Sequence, residues 1–195
     1  MGSEQDLRAW LEGLESVEPA QPSRLPGWTV GHVLTHLARH ADSVLAMLDG
    51  DPQYAKGREG RDRDIEAGAG RPWDELVDDV VMRSAAVQAA LRACDDWDGA
   101  VQSIRGERAK VQVPMMRQRE VEVHRVDLGL GYEFANLPPD YVRRELRLMG
   151  MLWKARKPMG MTPMPDTANA LDPATRLAWL MGRAVIDGLD PANLM

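Results

Sequence analysis

The chain has 195 residues, a length that favours one domain with at most one small appendage. Hydrophobic residues make up 44% and charged residues 28% of the sequence, which excludes wholesale disorder and the fibrous classes. Its 24 Lys and Arg against 30 Asp and Glu give a net charge of -6, which excludes the broad basic surface that non-specific nucleic-acid binding needs.

The apolar pattern of the first half predicts helices separated by breaks. A first helix is expected from about residue 4 to 16, after a sequence that resembles a capping box. Thr29 is expected to cap a second helix, whose long apolar stripe covers residues 30–48. Residues 51–70 have no sustained apolar period and predict a long connection. A third helix is expected from Pro72 to about residue 93.

The second half is also predicted to be mainly helical. Apolar and polar residues alternate in places over residues 101–113, around a glycine, and this pattern allows an irregular hairpin. Residues 116–128 fit a strand or a helix, and their Arg, Gln and Glu content favours the helix. Another helix is expected over residues 139–157, and Asp172 followed by Pro173 predicts the cap of a last helix. The sequence therefore predicts an all-α fold, an antiparallel bundle.

Cysteine usage and the N-terminus indicate the compartment. Cys94 is the single cysteine, so no internal disulfide can form, and the two aspartates after it do not stabilise a thiolate. No N-terminal apolar run resembles a signal peptide or a membrane span. We therefore expect a soluble, cytoplasmic protein with no membrane or nucleic-acid partner.

Three of the four histidines recur every four residues on the second predicted helix. Neighbours in the series His32, His36 and His40 are separated by about 6 Å of helix rise on nearly one face, so two neighbours can share an ion. The outer two are about 12 Å apart and cannot. His36 belongs to either neighbouring pair and is the first choice as a metal ligand. The alternative is three boundary histidines without a ligand.

A second histidine-bearing segment completes a candidate metal site. Glu120 and His124 are one turn apart if their segment is helical, whereas a strand would separate them by about 13 Å. Together with His36 they would offer two nitrogens and one carboxylate oxygen, the pattern of a catalytic zinc site with an open position. Iron or nickel also suit these donors. The alternative for Glu120 is a salt bridge with Arg117 or Arg119.

Two separated motifs carry a family resemblance. Residues 25–43 (LPGWTVGHVLTHLARHADS) and residues 119–129 (REVEVHRVDLG) resemble, in this order, the mycothiol-dependent maleylpyruvate isomerases of the DinB-like superfamily. The resemblance covers about residues 4–155 and implies a DinB-like antiparallel four-helix bundle. It also implies that a divalent metal is held by His36, Glu120 and His124.

Further site residues follow from the same resemblance. The segment 58–71 resembles the family's loop, which makes Arg61 a candidate for binding a substrate carboxylate through two hydrogen bonds. The alternative for Arg61 is a solvated loop charge. Residues 177–183 resemble the end of the family's C-terminal domain, which gives Arg183 a role in assisting the substrate. Asp127 is expected either to orient the second-motif imidazole or to have a structural role at the helix end.

The expected domain plan is a metal-binding bundle over residues 1–157 and a short C-terminal helical extension over residues 158–195 packed on it. About 40 residues follow Arg156, too few for the family's usual separate α/β C-terminal domain. The extension is therefore interpreted as truncated relative to the family, which leaves the substrate open.

The resemblance implies a metal-dependent and mycothiol-dependent isomerase. Mycothiol thiolate would add to the cis double bond of maleylpyruvate, the resulting single bond would rotate, and elimination would give the trans isomer and release the thiol. The implied partners are a low-molecular-weight thiol and a small electrophile, and a homodimer stays open. Two alternatives are a mycothiol S-transferase, in which the thiol stays attached, and a metal-binding or substrate-binding bundle without turnover.

Overall fold

The computed structural model describes residues 2–156, 159, 162–192 and 194, and this part of the chain contains eight α-helices. The helices are α1 (Gly2–Glu12), α2 (Val30–Leu48), α3 (Gly57–Gly68), α4 (Trp73–Ala93), α5 (Val113–Asp127), α6 (Pro139–Lys154), α7 (Asp166–Ala170) and α8 (Pro173–Leu180). Strands β1 (Ala100–Ser103) and β2 (Gly106–Ala109) form an antiparallel hairpin. None of the described helices is long and apolar enough to cross a bilayer.

Two compact units divide the chain between Gly131 and Tyr132. The expected domain plan places the boundary after residue 157 and assigns helix α6 to the bundle. In the structure, α6 belongs to the second unit. The physical reason is that α6 packs against α8, with the Trp153 and Trp179 ring centroids 5.1 Å apart. This pairing gives the second unit an aromatic contact of its own.

Four helices of the first unit pack in a ring, in which α2 and α1 each contact both α4 and α5. One apolar cluster joins α1, α2 and α4 and includes Leu7, Leu11, Leu34, Leu37, Leu76 and Val80. A second cluster surrounds the later part of α2 and includes Ala41, Val44, Met47, Val87, Val101 and Val113. Because both clusters are buried, the position and rotation of α2 are fixed along its length.

The predicted cap of α2 is present. The Thr29 side chain accepts a hydrogen bond from the His32 backbone N–H, and the Thr29 backbone N–H donates to His32 Nδ1 at 3.2 Å. This reciprocal arrangement satisfies two groups that the helix itself leaves without a partner. The start of α2 is thereby set at Val30, and His36 falls in the second turn of the helix.

Helix α3 lies where the apolar pattern predicts a long connection, so that prediction is wrong over residues 57–68. The helix buries only Gly60 and Ile65, which leaves no apolar repeat for a periodicity argument to detect. Its Arg, Glu and Ala residues are good helix formers, and it packs along α2. As a consequence, Arg61 projects from a helix and not from a loop.

The remaining predicted elements are present with shifted ends. Helix α5 covers most of residues 116–128, so the choice of helix over strand is confirmed there. The hairpin lies within 100–109, and α1 ends at Glu12, four residues before the expected end. Helix α6 ends at Lys154, while residue 157, its expected end, lies outside the described residues.

The last helix of the second unit, α8, begins as predicted. The Asp172 side chain accepts hydrogen bonds from the backbone N–H groups of Ala174 and Thr175, and Pro173 follows the cap. The Trp179 indole donates to the Asp190 carbonyl at 3.0 Å. These contacts anchor both ends of α8 within the second unit.

Gly31 marks a close approach of backbones at the start of α2. A Cβ atom there would lie 2.0 Å from the Ala69 carbonyl oxygen and 3.3 Å from that of Pro19. Since both neighbours are backbone, neither can rotate away, and we expect Gly31→Ala to lower the free energy of unfolding by about 1–3 kcal/mol in urea titrations. Gly150→Ala is the matched control, because no atom lies within 4 Å of its Cβ. Equal stabilities for the two variants would contradict this account.

Candidate metal centre

Helices α2 and α5 pack together and bring the three predicted ligands into one cluster. His36 Nε2 lies 2.9 Å from Glu120 Oε2, and His124 Nε2 lies 3.2 Å from the same oxygen. The two imidazole rings are nearly perpendicular, with centroids 4.6 Å apart. One ligand atom from each residue lies within 4.8 Å of the others. The helical spacing argument and the structure therefore agree on this cluster.

The other two histidines of α2 are held by different partners. His32 takes part in the helix cap, and its Nε2 lies 3.1 Å from Glu66 Oε2 on α3. His40 is buried, and its Nδ1 accepts a hydrogen bond from Arg117 at 3.3 Å. The middle histidine of the series is thus the member that faces Glu120 directly.

The donor set fits a divalent cation. Two imidazole nitrogens and one carboxylate oxygen converge, which are the donor types of three-ligand zinc sites. The His36 side chain is 4% exposed, whereas the Glu120 side chain is 30% exposed. The cluster is therefore closed on the His36 side and open to a small ligand on the Glu120 side.

Asp127 contacts the Nδ1 atom of His124, as the expected role of orienting this imidazole requires. Its Oδ2 atom lies 2.9 Å from His124 Nδ1, and its side chain is 1% exposed. A buried carboxylate on the second nitrogen of a ligand imidazole fixes the ring orientation and makes the other nitrogen more basic. The contact therefore supports the orienting role of Asp127.

The charges of the cluster depend on one another. Burial lowers the pKa of His36 to about 4, although its hydrogen bond to Glu120 opposes the shift. Burial also acts to lower the pKa of His124, but hydrogen bonds to Asp127 and Glu120 outweigh it and raise that pKa to about 9. Burial acts to raise the pKa of Glu120, and the surrounding histidines hold it well below its usual value. The pKa values of the two imidazoles are therefore shifted in opposite directions, although both rings contact the same carboxylate.

Arg61 reaches the cluster from α3. Its Nη2 lies 3.3 Å from His36 Nδ1, and its Nη1 contacts Asp62 at 2.6 Å. The guanidinium carbon lies 5.9 Å from the ring centroids of both Trp28 and Tyr54, within the range of cation–π contacts. Only 20% of the Arg61 side chain is exposed, which argues against a solvated charge.

Two aromatic residues complete the surroundings of the cluster. The Trp28 ring lies 5.6 Å from the His36 ring, and Trp28 falls inside the first motif. Tyr54 was not predicted, because a single tyrosine in a segment without a period carries no pattern. Burial raises the pKa of the Tyr54 phenol, with opposing hydrogen bonds to Ser43 and Arg61, so the phenol is neutral.

Arg183 belongs to the second unit and follows α8. Its backbone N–H donates to the Ala178 carbonyl at 2.8 Å, and its Nη1 donates to the Met181 carbonyl at 3.0 Å. These hydrogen bonds satisfy carbonyl groups at the C-terminal end of the helix. The role of Arg183 toward a substrate stays a prediction.

Fold and site together define a mainly helical protein with a partly buried cluster of two histidines and one glutamate. Residues 2–129 match the family described as the mycothiol maleylpyruvate isomerase N-terminal domain. The chain belongs to this family. The match contains all three residues of the cluster and both sequence motifs.

Two solved structures resemble the chain. The crystal structure of the mycothiol-dependent maleylpyruvate isomerase gives a TM-score of 0.78 at 21% identity, over 93% of this chain and 85% of that chain. A histidine-to-alanine mutant gives a TM-score of 0.77 with the same identity and coverage. The shared fold confirms the mainly helical, DinB-like prediction. The predicted truncation of the C-terminal extension stays a prediction. No curated protein sequence matches the chain.

Proposed function

We propose that this protein is a metal-dependent and mycothiol-dependent isomerase of the maleylpyruvate isomerase type. One observation carries the proposal: the meeting of His36, Glu120 and His124 from two helices, in a chain whose family is named for this enzyme. The substrate class is a small electrophile with a cis double bond conjugated to a carbonyl and at least one carboxylate.

The three clustered residues would hold the cation, with zinc as the first choice. A bound cation of this kind lowers the pKa of a coordinated thiol and so supplies a thiolate nucleophile at neutral pH. Asp127 holds the His124 ring in the orientation that directs Nε2 toward the cluster. The partly exposed side of Glu120 is where the thiol and the electrophile would enter.

The isomerisation would proceed in three steps, which are addition, rotation and elimination. The thiolate forms a carbon–sulfur bond at one carbon of the double bond, and the electron pair moves to the conjugated carbonyl as an enolate. Rotation about the new single bond follows, and return of the electron pair expels the thiolate unchanged. In this scheme Arg61 binds a substrate carboxylate and offsets the negative charge of the enolate.

We expect Arg61→Ala to lower kcat/KM by about 10- to 100-fold, since a charge-assisted hydrogen bond contributes roughly 1.5–3 kcal/mol. Steady-state kinetics with maleylpyruvate and mycothiol measure the effect. Arg63→Ala is the matched control, because Arg63 is exposed on the same helix. An Arg61 variant with the kinetics of this control would remove Arg61 from the substrate site.

We expect Arg183→Ala to raise KM or lower turnover without removing the metal. The basis is the resemblance of residues 177–183 to the family, and the measurement pairs kinetics with metal analysis. Unchanged kinetics would strike Arg183 from the site.

The reaction itself is tested by the mass of the product. The metal-loaded protein is incubated with mycothiol and maleylpyruvate, and the product is followed by absorbance and mass spectrometry. An altered absorbance at unchanged mass supports isomerisation. A product heavier by one thiol identifies an S-transferase instead, and no product at all identifies a binding protein.

A further inference from the structure

The second unit contains a pocket of about 230 Å³, formed by α6, α8 and the segment that precedes α7. Its five lining residues are Leu146, Arg147, Met164, Arg176 and Leu180, and we call it the α6–α8 pocket. All five belong to the second unit, whereas the three clustered residues of the candidate metal centre belong to the first. The pocket is therefore a feature of the second unit alone and needs its own explanation.

The walls of the α6–α8 pocket are held in place by hydrogen bonds around it. The Trp153 indole on α6 donates to the Pro163 carbonyl at 2.9 Å, which fixes the segment that contains Met164. The Asn169 side chain on α7 donates to the Met164 carbonyl at 3.4 Å. Helices α6 and α8 also pack against each other. Because the walls are already in place, a ligand would lose little free energy in ordering them.

Two positive charges line the pocket without a counter-ion. Neither the Arg147 nor the Arg176 guanidinium has a hydrogen bond or an ion pair within the described part of the chain. Arg143, one turn earlier on α6, is different, because it pairs with Asp140. None of the five lining residues is acidic. Like charges at one pocket repel each other, and a bound anion would relieve this repulsion. The planar guanidinium is well suited to a carboxylate.

The rest of the lining is apolar. Leu180 is buried, and Leu146 and Met164 are half-buried. An apolar lining with a few polar groups is typical of sites for small organic molecules, and an inorganic anion would make no use of the apolar part. The volume is below the range of about 300–1,000 Å³ that drug-sized ligands occupy, so the pocket fits a smaller molecule.

We propose that the α6–α8 pocket binds a small organic acid, which has one carboxylate and an apolar body. The carboxylate pairs with Arg147 and Arg176, and the apolar body packs on the two leucines and the methionine. The combination selects this class over inorganic anions, which lack the apolar body, and over neutral apolar molecules, which lack the charge. The inference is independent of the proposed function, because none of the lining residues takes part in that reaction.

The first test is a titration of the protein with benzoate, followed by carbon-13 NMR of the methyl groups of Leu146, Met164 and Leu180. We expect these signals to shift and to reach saturation. Benzamide keeps the ring without the charge, and inorganic phosphate keeps a charge without the ring, so each should bind about 10-fold or more weakly than benzoate. Benzoate that leaves the three methyl signals unmoved overturns the proposal. Benzamide or phosphate that shifts them with the affinity of benzoate also overturns it.

The second test uses variants of the two arginines in the same titration. Arg147→Met and Arg176→Met each remove one charge and keep an apolar side chain of similar length, and we expect each to weaken benzoate binding about 10-fold. Arg143→Met is the matched control, because it removes an arginine of the same helix that already pairs with Asp140. This control should bind benzoate like the wild type. Unchanged affinity in both pocket variants, or an equal loss in the control, would show that the two arginines do not hold the carboxylate.

Discussion

Replacement of His36 or His124 by alanine is expected to abolish stoichiometric zinc binding, with the helical circular dichroism largely retained. Either change leaves one imidazole and one carboxylate, and two protein ligands are too few for the three-ligand site that the cluster forms. Neither ring belongs to the apolar clusters that hold α2 in place. The measurement is metal analysis after dialysis of the zinc-loaded protein.

His32→Ala is the matched control for these variants, since it removes an imidazole from the same helix. Its ring is held by the helix cap and by Glu66, so the variant should keep its zinc. His40→Ala should also keep zinc while losing stability, because it removes a partner of the buried Arg117. Full zinc content in both ligand variants would refute the ligand set, and complete zinc loss in either control would show that the wrong histidine was chosen.

Glu4→Ala is expected to lower the free energy of unfolding by about 3–5 kcal/mol, the largest loss of stability that we predict. Arg117 is 1% exposed, and its Nε donates to Glu4 Oε1 at 2.6 Å. Its Nη1 also donates to the Leu37 carbonyl at 2.8 Å, so the side chain links α5 to α1 and α2. Without Glu4 the guanidinium would be a buried charge with no counter-ion. Chemical denaturation measures the loss.

A control variant and a double variant test this prediction further. Glu12→Ala removes an exposed acid from the same helix and should change stability by no more than about 0.5 kcal/mol. Glu4→Ala combined with Arg117→Met removes both charges and should be more stable than Glu4→Ala alone, since no buried charge is left. If Glu4→Ala is as stable as Glu12→Ala, the buried pair does not have the role assigned to it.

The ligand cluster could be predicted because its information is local. Spacings of four residues in α2 and α5 place imidazoles and a carboxylate on one face of each helix, and such spacings can be read directly. The sequence of α5 also fits a strand, because Val121 and Val123 alternate with polar residues. Helix formation there decides the site, because it brings Glu120 within 3.2 Å of His124.

The contacts that sequence analysis missed join distant segments. Arg117 was considered as a partner of Glu120, but it pairs with Glu4, 113 residues away. No local pattern encodes such a pair, because it depends on how three helices meet. Helix α3 was missed for a different reason: it buries too little apolar surface to produce a period. The position of Tyr54 beside Arg61 follows from that helix and was equally hidden.

The most direct test is zinc-edge X-ray absorption of the zinc-loaded protein before and after addition of mycothiol. We expect two imidazoles and light oxygen ligands at first, and a new sulfur neighbour at about 2.3 Å once the thiol is present. His36→Ala should lose the zinc signal under the same conditions. A spectrum without imidazole scattering, or one in which mycothiol adds no sulfur, would contradict the account.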